Sequence, residues 1–179
     1  IFALCASLGV AEAARAGRQR PENLQAWALC VQAEVLWGTR ADLKAVLEAG
    51  KLARRAAEIE PGYAAGWALL AAFAGLRIVF GTSIDLVRDS AEALALAHKA
   101  LDLAPNDPTV LGYCGSAAIF AGQAARGVDW LQRSLALNPN NNFPRVFYAQ
   151  GLLWLGRPSE ALVQVELFLR RSQKDPYIG

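Results

Sequence analysis

Charge is spread unevenly along this chain of 179 residues: positions 61–76 and 108–125 contain no Asp, Glu, Lys or Arg. Each uncharged run leads into a stretch in which apolar residues recur every three or four positions among charged ones. That period is the mark of an amphipathic helix, and a run that is apolar all round belongs to a helix wedged between neighbours. The pattern therefore predicts helices over 2–15, 22–37, 40–59, 63–80, 84–103, 108–121, 124–137, 143–155 and 158–172, with no β-strand required. Punctuation agrees. Asp107 before Pro108 supplies an N-cap and a first-turn proline, and Pro158 opens the last helix in the same way. Thr39 with Asp42 and Thr82 with Asp85 are spaced as capping boxes for the helices 40–59 and 84–103.

The helices come in a repeating order. Helix-like stretches rich in Ala and Leu end at Pro61, Pro105 and Pro139, and the last two prolines are 34 residues apart. Within that unit Leu111, Cys114, Gly115, Ala118, Gly122, Gly127, Leu131, Ser134 and Leu135 fall where two antiparallel helices need small contact residues and a turn glycine. The same frame runs backward through WALLAAFAGL from Trp67, and through WALCVQAEVLWG from Trp27 with AGKLARRAAEIEP. Forward, it reaches Gly156 and Ala161.

This pattern resembles the tetratricopeptide repeat over about residues 23–172, and most closely in the third and fourth units. The resemblance implies an all-α, right-handed α-solenoid of about four helix pairs behind a leading N-terminal helix. Residues 1–22 would form that helix and a linker, the tail of a preceding module. Residues 23–179 would form the array, with units at about 23–61, 62–105, 106–139 and 140–173 and then the start of another. Trp27 to Pro61 is 34 residues and Trp67 to Pro105 is 38, against about 28 for a standard unit. Gly38 stands at its usual place and Gly81 about three residues late, so the excess is expected in the second helices, close to two turns each. Long-helix arrays of this kind look like those carried by bacterial multidomain proteins beside adenylate cyclase, winged-helix or TolB-like modules.

Composition narrows the chemistry. A chain 54% hydrophobic and 19% charged can build a core, and a net charge of +2 creates no strong field toward nucleic acid. Cys5, Cys30 and Cys114 form no CxxC pair, which argues against a disulfide framework or a zinc site and for a reducing, cytoplasmic setting. Cys30 and Cys114 share one repeat position and read as small buried hydrophobes. The chain has no methionine, so Ile1 reads as a point inside a longer protein. Gly75, Gly112, Gly115, Ser116 and Gln123 dilute the apolar runs, and no membrane span is expected. His98 is the sole histidine, and no phosphate-loop, dinucleotide, zincin or hydrolase signature occurs. Glu58 and Glu60, like Asp85 and Asp89, lie along solvated helices. The basic groups Arg15/Arg18/Arg20, Lys51/Arg54/Arg55 and Arg170/Arg171/Lys174 have no aromatic ladder beside them. Neither a catalytic residue nor a cofactor nor a metal is expected, so the chain does not read as an enzyme.

The resemblance further implies binding along the concave face, which the first helix of each unit lines. Projected onto this sequence, that face holds Gln25, Ala28, Gln32, Val35 and Leu36, then Ala65, Ala68, Ala72 and Leu76. The later units add Thr109, Gly112, Ser116, Ile119, Phe120, Phe143, Val146, Gln150, Leu153 and Trp154. No Lys or Arg is among them, so capture of a C-terminal carboxylate is not implied. The lining suits a protein or peptide partner, an apolar or amphipathic helix, with Phe120, Leu153 and Trp154 as anchor. The alternatives are a groove filled by the parent chain, the regulatory portion of a signalling enzyme, or a small-ligand sensor at the Trp154, Phe120 and Gln150 corner. The final helix is apolar on nearly every side, and Val165, Phe168 and Leu169 are expected to join copies end to end.

Overall fold

A computed structural model describes residues 24–172. The expected leading helix, the boundary at residue 22 and the start of a fifth unit lie outside the described residues. Within them are eight helices and no strand. They are α1 (Leu24–Arg40), α2 (Leu43–Ile59), α3 (Ala64–Val79), α4 (Leu86–Leu103), α5 (Pro108–Phe120), α6 (Ala124–Leu137), α7 (Phe143–Trp154) and α8 (Pro158–Ser172). Each odd-numbered helix packs on the even-numbered helix that follows, and on the odd-numbered helices of neighbouring pairs. The even-numbered helices touch odd-numbered ones and make no comparable contact with one another. A stack whose first helices touch while its second helices stay apart curves with the first helices inside.

Two boundary expectations are corrected. The extra length of the first two pairs is shared between both helices of each. α1 and α3 have 17 and 16 residues against 13 and 12 for α5 and α7, and α2 and α4 have 17 and 18 against 14 and 15 for α6 and α8. Gly38 permits a turn but does not force one: α1 runs on to Arg40, and Ala41 takes the left-handed conformation at φ 48°. The capping boxes are also replaced. Thr39 Oγ1 donates back to Val35 O at 2.9 Å and Thr82 Oγ1 to Arg77 O at 2.9 Å, each closing the preceding helix. Asp42 and Asp85 are the caps themselves, accepting from Ala45 N at 2.6 Å and Arg88 N at 3.0 Å.

Small residues set the spacing of the helices. A Cβ added to Gly115 on α5 would lie 2.5 Å from Leu131 Cγ, and one added to Gly127 on α6 2.5 Å from Ile119 Cγ1. Gly151 on α7 faces the same Ile119, whose Cδ1 would be 2.7 Å away. Ile119 is thus a knob held by glycines of two other helices, and it is fully buried. This corrects its assignment to the groove lining. In the first two pairs alanine has this role: Ala45, Ala49, Ala53 and Ala56 of α2, and Ala93, Ala97 and Ala100 of α4, have no exposed surface.

One repeat position exchanges an indole for a guanidinium. Trp67 Nε1 donates to Pro61 O at 2.9 Å, across six residues. One helix pair after Leu111, the same repeat position holds Arg145, whose Nη2 donates to Pro139 O at 2.6 Å, again six residues back. Its other arm reaches Gln164 Oε1 at 3.0 Å and so ties α7 to α8.

Circular dichroism should show a helix-dominated spectrum without appreciable sheet. Replacement of Gly115 by Leu should overpack the α5–α6 crossing and lower stability by about 1–3 kcal/mol in urea unfolding. An unchanged midpoint would contradict the packing described.

Candidate functional site: the inner face of the first helices

Residues that reach the inner face do so because α1, α3, α5 and α7 lie side by side. Of the expected lining residues, Gln32 on α1 is exposed and Leu36 half-buried against the core. Phe143 and Gln150 on α7 are half-buried, whereas Leu153 and Trp154 are 54% and 53% exposed. Leu76, Ser116 and Phe120 have turned inward, as have Ala68, Ala72 and Gly112. Leu76 and Phe120 are each 7% exposed and pack in the core. Ser116 is 1% exposed and donates its hydroxyl to Tyr113 O at 2.8 Å, satisfying its own turn rather than facing a partner. The cause is common to all of them. α3 and α5 stand between two other first helices, so only a narrow stripe of either stays open.

An unforeseen aromatic row runs between α5 and α7. Tyr113 and Phe143 have ring centroids 4.8 Å apart, Phe143 and Phe147 4.9 Å, and Phe147 and Phe120 5.5 Å. These are separations at which rings attract one another. Phe120 continues from the row into an apolar cavity of about 290 Å³ that it lines together with Ile78, Leu86, Ala121 and Trp154. The fold therefore joins Phe120 to Phe143 through Phe147, and to Trp154 across the cavity.

At its other end the row meets a charge. Tyr113 Oη donates to Glu34 Oε1 at 2.6 Å, a contact between α5 and α1 that spans 79 residues of sequence. Burial raises the Glu34 pKa above its ordinary value, and the Tyr113 hydroxyl opposes the rise only in part. The phenol of Tyr113 is pushed up by burial and then by the negative charge of Glu34. Cys30, one turn before Glu34, is raised to about 12 by burial and by the same carboxylate, and burial also raises Cys114. Both thiols are buried and stay protonated at neutral pH, as expected of small hydrophobes.

Projection of the repeat assigns no inner-face role to Glu34, Tyr113 or Phe147. A signal for the first was present: Glu34 is the sole charged residue between Leu24 and Thr39. The aromatic partner could not be read, because nothing local connects positions 34 and 113. His98, on the outer side, is exposed, with its ring edge-on to Trp130 at 5.5 Å and Arg126 Nη1 at 3.4 Å. Among the described residues no group of three His, Cys, Asp or Glu is placed to hold a metal, and no helix is long and apolar enough to cross a membrane.

Solved structures similar to this one share its architecture. A thermophilic TPR protein of Thermus thermophilus superposes with a TM-score of 0.65 at 21% identity, over 99% of this chain and 95% of that one. A MamA fragment from Desulfovibrio magneticus RS-1 gives 0.53 at 14% identity, over 96% and 97%. The class of the molecule is thereby defined: an all-α solenoid of paired helices. Its fold is that of the tetratricopeptide repeat, as the sequence pattern implied. No family model and no curated protein matches the chain.

Stability should depend on pH through Glu34. The folded chain binds the Glu34 proton more tightly than the unfolded chain does. Stability therefore falls as pH rises from the ordinary carboxylate value of 4.5 toward the raised folded value. Glu34→Gln, which can still accept from Tyr113, should remove this slope. Its stability relative to wild type should grow as pH rises above 4.5 in urea titrations. Parallel curves would show that the carboxylate is not desolvated.

Proposed function

We propose that the array is a non-catalytic scaffold that holds a partner protein, or a segment of its parent chain, as an apolar or amphipathic helix along the inner face. One observation carries this reading. Tyr113, Phe143 and Phe147 are half-buried, and with the cavity beside Phe120 and the half-exposed Leu153 and Trp154 they set apolar groups along α5 and α7. A helix laid there would bury one stripe of its own, with Trp154 at the rim of the socket. The surface includes Gln32, which is exposed, and Leu36, Phe143 and Gln150, which are half-buried. The reading involves protein rather than nucleic acid. It also fits a regulatory portion of a larger signalling enzyme, where the held segment would belong to the same chain, and the buried free thiols suit the cytoplasm. Helical peptides selected on the immobilised chain should lose binding to Trp154→Ala while that variant keeps its helical spectrum. Equal binding would move the interface to the outer helices.

A second surface supports self-association. With an offset of 34 residues, Val128, Leu131 and Leu135 of α6 correspond to Leu162, Val165 and Leu169 of α8. The first three are 5%, 0% and 9% exposed beneath the following pair, whereas the last three are 58%, 40% and 51% exposed. Phe168 lies beside them, half-buried. A second copy stacked on α8 would cover the positions that the next pair covers within the array. Wild type should then sediment as a dimer or larger species at high concentration and Leu162→Glu as a monomer. A monomeric wild type would end this part of the proposal.

A further inference from the structure

Beyond the apolar stripe, the corner formed by Glu34 and Tyr113 carries chemistry of its own. Glu34 is half-buried, and the Tyr113 hydroxyl occupies only one site on one of its oxygens. A carboxylate offers about four lone-pair sites. No Lys, Arg or His among the described residues comes within ion-pair distance of it. The corner is therefore negative, part-desolvated and without a counter-charge among the described residues. An uncompensated buried charge is costly, and a partner that brings the opposite charge recovers that cost on binding.

We propose that this corner receives one lysine or arginine side chain of the bound helix, the cationic head on the free side of the Glu34 carboxylate and the stem against the Tyr113 ring. The proposal rests on the groove reading above and names the partner's chemistry more closely. A metal ion is a poor occupant, since no group of three potential ligands exists among the described residues. A free amine would leave the aromatic row unused. From Tyr113 the row continues through Phe143 and Phe147 in steps of 4.8 and 4.9 Å, close to the rise of one helical turn, about 5.4 Å. A helix with its basic residue at Glu34 would thus set apolar residues one and two turns further along over Phe143 and Phe147. The chain already holds one cation on an aromatic face, Lys99 Nζ at 3.4 Å from the centre of the Trp67 ring, so the contact is geometrically ordinary here.

The test is a selection of helical peptides from a display library on the full chain, in parallel on wild type, Glu34→Gln and Glu34→Lys. Wild type should enrich Lys or Arg at one position with apolar residues one and two turns away. Glu34→Gln should lose the basic preference but keep the apolar one, and Glu34→Lys should enrich Asp or Glu instead. A wild-type peptide remade with Gln for its basic residue should bind about tenfold more weakly to wild type, the size expected of a charge-assisted hydrogen bond, and equally well to Glu34→Gln. Apolar helices selected without a basic preference would overturn this inference and leave the groove reading standing. No enrichment on any form would overturn both. Glu34→Gln preserves the Tyr113 bond, so the comparison survives if Glu34→Lys fails to fold.

Discussion

The close approach of α5, α6 and α7 around Ile119 is the constraint on which the rest of the array depends. Where Gly115, Gly127 and Gly151 lack side chains, Ile119 and Leu131 fill the space, and a single added Cβ would fall at 2.5–2.7 Å from them. Interiors are packed as densely as organic crystals, so such a site cannot yield without moving a helix. The spacing so fixed decides how near Phe143 and Phe147 of α7 lie to Tyr113 and Phe120 of α5, and hence whether the aromatic row exists. In the earlier pairs the same closeness comes from alanine. α3, which contributes Ala68, Ala71, Ala72, Ala74 and Gly75, is thin enough to lie between α1 and α5 while Tyr113 still reaches Glu34.

The architecture was largely legible because its determinants are local and periodic. Gly122 and Gly156 take positive φ at the turns where the repeat frame sets them, and Asp107 caps α5 through Thr109 N and Val110 N as its place before Pro108 implies. Helix length in the first two pairs was harder to read. A glycine allows a helix to end but does not say that it will, and Ala41 carries the turn that Gly38 leaves unused. The inner face was legible in part. Transfer of repeat positions finds the helix and its approximate side, yet Leu76, Ser116 and Phe120 are covered by neighbours whose distance is a property of the whole stack. The pairing of Glu34 with Tyr113 is the extreme case, since it depends on a helix two pairs away.

The electrostatics divide the molecule into two sides. The ion pairs among the described residues are mostly exposed and join the second helices or the turns, as with Arg54 and Glu92 or Arg157 and Glu160. Such pairs add little stability each. The inner face is different, because its carboxylate is sheltered and lacks a cation among the described residues, so each charge brought there weighs more than one placed outside. On the proposed reading, discrimination among partners is concentrated at one end of a largely apolar surface, where matching shape alone would be permissive.

The exchange of Trp67 for Arg145 at one repeat position bears on how such arrays diversify. An indole and a guanidinium share flatness and an N–H, and both satisfy the carbonyl six residues back that the turn would otherwise leave bare. In these two units the position keeps a donor of a given reach, whereas Leu111 in the unit between them has none and Pro105 O there accepts from Arg133 Nη2 at 3.2 Å. A positive charge thus sits in the joint between two units, held by the turn carbonyl behind it and the amide of the next helix.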